Sequence, residues 1–130
     1  MRSPVNCLPS GPFLVTCETA RSGSNAERHK DAIARFHRDV LGHGRGDVLE
    51  DLVAADYRPH LPELDGSLRL QPGRDALAAR LRSTGKVPNE IRRTIADCDF
   101  VYAHVKYPGT PTYADVDIYR FDVAGRIAEH

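Results

Sequence analysis

The hydrophobic period of this sequence changes once, and that change restricts the fold more than any single residue does. From Ser24 to about Thr84 apolar residues recur at three- and four-residue spacing, as on helices with one buried face. From Glu90 onward they alternate with polar residues at a period of two, as on strands half-buried in a sheet. Helices first and a meander of antiparallel strands after them imply an α+β domain with the helices packed on one face of the sheet.

Local signals place the elements. Ser24 and Glu27 have capping-box spacing, and Ile33, Phe36, His37, Val40 and Leu41 then share one helical face, which ends in the glycine-rich residues 42–46. Asp47, with Glu50 three residues on, caps a shorter second helix that buries Val48, Leu49, Leu52 and Val53 and ends at Asp56 and Tyr57. Residues 57–62 are extended. Pro72 and Gly73 open a third helix carrying Ala76, Leu77 and Leu81 inward, and Gly85 stops it. Strands are expected around Ile91 and Ile95, around Val101, Ala103 and Val105, from Tyr113 to Val123, and from Arg126, with turns at Asp97-Cys98-Asp99 and Ala124-Gly125. Residues 1–23 hold Pro4, Pro9 and Pro12 and no period, so they read as a disordered tail ahead of a domain over residues 24–130.

A length of 130 residues fits one core, not two. The 18 basic and 18 acidic side chains cancel, which leaves no long-range field for a nucleic-acid backbone or an anionic membrane. Arg80, Arg82, Lys86, Arg92 and Arg93 are interrupted by Glu90 and Asp97, have no aromatic residues between them for stacking bases, and read as a solvated face. No apolar run has membrane-spanning length, and Phe13-Leu14-Val15 is far too short for a signal-peptide core. Cys7, Cys17 and Cys98 form no C-x-x-C pair, and their odd number argues against a disulfide framework; a reducing, cytoplasmic setting is expected.

Few residues carry chemistry. Gly42, Gly44 and Gly46 follow no strand and precede no Lys-Ser or Lys-Thr pair, so they connect helices and do not cradle phosphate. The histidines, His29, His37, His43, His60, His104 and His130, show no H-E-x-x-H or H-x-H spacing, so neither a metal nor another cofactor is implied. His29 and His43 are expected in solvent, and His37 on the apolar face of its helix. His60 stands in an extended segment beside Tyr57, where a chain commonly lines a concavity. Along residues 113–121, alternation puts Asp115, Asp117, Tyr119 and Phe121 on one face and Val116, Ile118 and Arg120 on the other. If the aromatic face meets the helices, Asp117 points inward, where it must be paired or protonated, with a raised pKa if its surroundings are mostly apolar. The opposite phase would bury Ile118 and leave the aspartates in water.

Three passages resemble the SnoaL-like polyketide cyclase family of the nuclear-transport-factor-2-like superfold. They are Tyr57-Arg58-Pro59-His60-Leu61-Pro62, similar to Y-x-x-H-N-P; Asp115-Val116-Asp117-Ile118-Tyr119-Arg120, similar to D-x-D-I-F-R; and Gly125-Arg126-Ile127-Ala128-Glu129-His130, similar to G-K-I-x-E-H. The resemblance implies a cone-shaped curved antiparallel sheet wrapped around three N-terminal helices, with an internal pocket for a small molecule. It places Asp117, His60 and His130 facing that pocket as candidate catalytic residues and Tyr57 near its rim. Tyr119, His37 and His104 complete the candidate ligand contacts. The implied chemistry is cofactor-independent aldol-type cyclisation or isomerisation by proton transfer next to a carbonyl.

Two departures qualify that expectation. Leu61 stands where the family pattern has asparagine. The family continues E-H-W-D, with an aspartate that serves the cyclases as acid, whereas this sequence ends at His130, so truncation of the last strand is expected. A non-catalytic ligand-binding or dimerisation module of the same fold is therefore the alternative. A homodimer through the outer sheet face carrying Val116 and Ile118 is expected in either case.

Overall fold

A computed structural model describes residues 23–60 and 71–130. Apart from Gly23, the expected tail lies outside the described residues, as do Leu61 and Pro62. The first helix, α1 (Gly23–Arg35), runs directly into a π-helical stretch, Phe36–Gly42. The wider turn of a π-helix shifts the phase of the face, and Phe36, His37, Asp39 and Val40 are all buried there. A 3-10 turn at Gly46–Val48 leads into α2 (Leu49–Leu52), a single turn. The expected Asp47 cap is not made: Val48 occupies the cap position, and Asp47 pairs with Arg45 at 2.8 Å instead.

The second helix is also shorter than its pattern suggests. Val53 through Arg58 form strand β1, because Val53 is paired with Ile127 and extended backbone suits a β-branched residue better than another helical turn. Helix α3 (Arg74–Thr84) lies between Gly73 and Gly85, whose φ values of 105° and 73° are left-handed and open only to glycine at little cost.

The strands β2 (Glu90–Asp97), β3 (Phe100–Tyr107), β4 (Tyr113–Phe121) and β5 (Ile127–Glu129) complete one sheet of order β1-β5-β4-β3-β2. Its pairs are antiparallel except β1 with β5, which is parallel. That exception follows from topology, since everything between the two strands serves as the long crossover a parallel pair needs. The β2–β3 turn is Cys98-Asp99, as the sequence pattern indicates, with Cys98 at a φ of 55°. Cys98 is disulfide-bonded, its partner lying outside the described residues, so the cysteine count no longer argues for a reducing compartment. Among the described residues no helix is long and apolar enough to cross a membrane.

The core lies between α1 and the inner face of the sheet. Val101, Ala103 and Val105 of β3 and Tyr119 and Phe121 of β4 are fully buried against Ile33, Phe36 and Val40. Each such aliphatic or aromatic side chain contributes roughly 1.5–3 kcal/mol by leaving water. Strand β4 therefore takes the phase with its aromatic residues inward, and Val116 (61% exposed) and Ile118 (47%) lie on the outer face. His29 corrects the sequence expectation. It is buried and stacked on Phe121 at a centroid distance of 4.1 Å, one turn of α1 before Ile33, because the helical face extends further towards the N-terminus than its aliphatic residues mark.

Candidate active site

Inward alternation along β4 brings the Asp117 side chain, only 12% exposed, under the C-terminal end of the first helical segment. Three elements converge on it. Tyr107, at the end of β3, donates its hydroxyl proton to Asp117 Oδ2 at 2.6 Å. His130, just beyond β5, places Nε2 3.3 Å from Oδ1. His37, from the π-helical turn, holds its Nε2 3.8 Å from Oδ2 and 2.7 Å from the Tyr119 hydroxyl. The His130 ring stacks on Tyr119 at 4.2 Å, so that residue orients the histidine while its own hydroxyl lies fully buried.

The electrostatics follow from these contacts. Burial drives the Asp117 carboxyl upward, but the hydrogen bonds from His130 and Tyr107 and the charge of the histidine beside it outweigh burial, and the net shift is downward. This corrects the expectation of a raised value, which assumed apolar surroundings. Asp117 is thus an ionised carboxylate at neutral pH, with lone pairs left over after its two donors. Burial lowers His37, with Asp117 opposing in part, and keeps it neutral. Burial, reinforced by the Asp117 charge, pushes the Tyr57, Tyr107 and Tyr119 hydroxyls up, so none of them ionises at neutral pH.

A cavity of about 380 Å³ opens beside β4 at this end of the sheet, lined by Asp117, His130, His60 and Glu129 together with the outer-face residues Val116, Ile118 and Arg120. His60 reaches it from the chain after β1, held by backbone pairing with His130, but it does not bond Asp117. Its Nε2 lies 3.1 Å from Glu129 Oε2, and Glu129 in turn takes the Arg120 guanidinium. Burial raises the Glu129 carboxyl, and Arg120 and His60 more than offset that, so it too is held below its ordinary value.

Of the residues expected from sequence, Asp117, His130, His37 and Tyr119 are thus in direct contact. His60 shares the cavity, and Tyr57 is buried behind it, near enough to feel the Asp117 charge. His104 stands apart: the alternation that buries Ala103 and Val105 turns it to the other face, between Arg93 and Val116 in the sheet register. Two contributors escape the sequence reading. Tyr107 shares the inward parity of Val101, Ala103 and Val105, so the period of β3 carried the signal. Asn89 precedes β2 and meets His37 across 52 positions of sequence, and no local pattern marks it. Among the described residues, no group of three or more His, Cys, Asp or Glu side chains is arranged to hold a metal ion.

Comparison with solved structures places the same architecture in other proteins. A nuclear-transport-factor-2-like protein of unknown function from Burkholderia xenovorans LB400 superposes with a TM-score of 0.67, at 22% identity over 82% of each chain. An LEH-like epoxide hydrolase from M. tuberculosis gives 0.61, at 18% identity over 80% of each chain. A steroid delta-isomerase from Pseudomonas aeruginosa gives 0.59, at 19% identity over 78% of this chain and 75% of its own. At such identities the likeness is one of fold. No curated protein matches the sequence. The SnoaL-like domain family model matches residues 33–130, a span that begins at the buried Ile33 and takes in Asp117, His37 and His130. With the helices-then-meander order, the parallel β1–β5 closure and this match over most of its length, the chain belongs to the SnoaL-like domain family.

Proposed function

We propose that this protein binds a small carbonyl-bearing organic molecule in the cavity and shifts a proton within it, with Asp117 as the base. The observation that carries this reading is an ionised, mostly buried carboxylate, held by His130 and Tyr107, on the wall of a cavity of small-molecule size. Asp117 takes a proton from the carbon next to the carbonyl, and the C–H electron pair moves to the carbonyl oxygen as an enolate. Return of the proton at another carbon gives isomerisation; attack of the enolate carbon on a second carbonyl gives aldol-type ring closure, with the new alkoxide taking back the proton that Asp117 holds. His60, on the cavity wall, is placed to donate to the enolate oxygen, a role that the buried Tyr57 and Tyr119 are too enclosed to fill. The proton that moves is the substrate's own, carried by Asp117, and the scheme uses no cofactor. A second copy of the chain covers the outer sheet face at Val116 and Ile118.

The test is exchange of the α-protons of a panel of small ketones and β-dicarbonyl compounds with deuterated water. Asp117→Asn keeps the shape and removes the base, so exchange should fall by about 10²–10⁴-fold. Exchange unaffected by the substitution would overturn the assignment. Ligand binding without exchange in the wild type would favour the non-catalytic module instead.

A further inference from the structure

Asn89 is anchored to the backbone by its amide nitrogen and turns its amide oxygen to the His37 ring. Its Nδ2 donates both protons to backbone carbonyls, to His37 O at 3.0 Å and Val87 O at 2.8 Å. With the amide nitrogen so committed, Oδ1 is the atom that faces His37 Nδ1, at 3.1 Å. An amide oxygen only accepts, so His37 must carry its proton on Nδ1. Nε2 is then a lone pair, and the Tyr119 hydroxyl 2.7 Å away must be the donor.

We propose that Asn89 is a positioning residue that fixes the tautomer of His37 and so keeps a third donor away from Asp117, whose Oδ2 lies 3.8 Å from His37 Nε2. Resting on the reading of Asp117 as a base, this deepens it. The groups around the carboxylate are Tyr107, His130, His37, Tyr119 and Tyr57. Tyr107 and His130 already donate to Asp117. A third donor would stabilise the carboxylate further, weaken it as a base and occupy a lone pair that the substrate's proton needs. In the other His37 tautomer, Nε2 would carry a proton 3.8 Å from Asp117 Oδ2 and present the carboxylate with that third donor. By holding the His37 proton on Nδ1, Asn89 leaves Nε2 as an acceptor for the Tyr119 hydroxyl and withholds that third donor.

The experiment is heteronuclear NMR of the wild type, Asn89→Leu and Asn89→Asp, following the His37 ring nitrogens and the Asp117 carboxyl carbon through a pH titration. In the wild type His37 should show a protonated Nδ1 and an unprotonated Nε2. Asn89→Leu should lose that pattern and move the Asp117 midpoint downward, and Asn89→Asp, whose carboxylate opposite Nδ1 favours the doubly protonated ring, should put a proton on Nε2 as well and move the midpoint down too. A purely structural role would lower the melting temperature of Asn89→Leu without altering either signal. A protonated Nε2 in the wild type, or an unmoved Asp117 midpoint in folded Asn89→Leu, would overturn the proposal. None of these readouts requires turnover, so they stand or fall separately from the exchange assay on Asp117→Asn.

Discussion

The first helical segment buries two histidines, His29 and His37, and the surroundings of each teach what separates a site from a core. Both are mostly enclosed, both lie against an aromatic residue of β4, and burial lowers both below the ordinary imidazole value of 6.5. At the His37 end each ring nitrogen has a partner, and the network continues through Tyr119, His130 and Asp117 to a cavity. At the His29 end the ring stacks on Phe121 and its Nδ1 is buried with no hydrogen-bond partner among the described residues. The nearby Asp99 and Arg120 approach each other only to 3.9 Å, and burial raises the Asp99 carboxyl. Burial and residue type are thus shared, and hydrogen-bond completion is not. A fully connected polar network specifies one arrangement, whereas a lone buried polar atom costs stability and specifies nothing.

Removing the two rings in turn is the strongest way to break this comparison. His37→Leu strands the buried Tyr119 hydroxyl and the Asn89 amide oxygen, and should cost about 1–3 kcal/mol for each group left without a partner. His29→Leu removes an atom that has no partner, so the lost ring stacking is set against relief of an unsatisfied nitrogen, and the net change should stay within roughly 1 kcal/mol. Urea denaturation of both variants measures the difference. Equal losses would mean that the His37 network contributes nothing beyond packing.

Acid sharpens the same contrast without mutation. His29 and His37 have folded pKa values below 6.5, so the unfolded chain binds protons first, and stability present above pH 6.5 should be lost as pH falls from there towards the depressed values. Asp117 and Glu129 are shifted below 3.8 and 4.5, and their contribution, present above those values, should disappear as pH falls through the lower folded ones. Melting temperature against pH should therefore decline in two stages, the first set by the histidines and the second by the carboxylates. In His29→Leu the first stage should shrink but persist, because His37 still contributes; its complete removal would assign the whole effect to His29.

Tyr107 provides a smaller, local test. Tyr107→Phe deletes one of the two donors to Asp117 while keeping the ring that stacks on Tyr113 at 5.2 Å. The cost should be about 1 kcal/mol or somewhat more, as for a hydrogen bond to a charged group, and the Asp117 titration should move upward. An unmoved carboxyl titration would show that His130 alone holds the carboxylate.

The parts of this molecule that could be read in advance are those governed by period. The strands β2 to β5 after the helices, the turn at Cys98-Asp99 and the inward run of Asp117, Tyr119 and Phe121 all follow from spacing along the chain, whereas β1, set among the helices, does not. Tyr107 obeys the same alternation. The boundary at Val53 was not legible, because pairing with Ile127, 74 positions away, decides it against a helical pattern. Asn89 and the ionised state of Asp117 were hidden for a related reason. Both depend on which side chains meet across the sheet, and a pKa is set by those partners, not by the apolar stretch that surrounds the residue in sequence.

The outer face of β4 yields the smallest expected change in the fold and the clearest test of a partner. Ile95 and Ile118 flank Tyr102 in the sheet register, and with Val116 they put an apolar row on the side opposite Asp117. Because Ile118 is already half in water, Ile118→Glu should alter the stability of a monomer by no more than about 0.5 kcal/mol. If a second copy covers this row, however, the same glutamate would be buried against apolar surface without a counter-ion, which is far costlier than its exposure on a monomer. Light scattering at micromolar concentration should then show a dimer for the wild type and half that mass for the variant. Equal masses would leave the row as ordinary exposed surface. Because Ile118 also borders the cavity that Asp117 lines, the new glutamate would raise the Asp117 titration whether or not the chain dimerises, so the mass and not the titration decides the point.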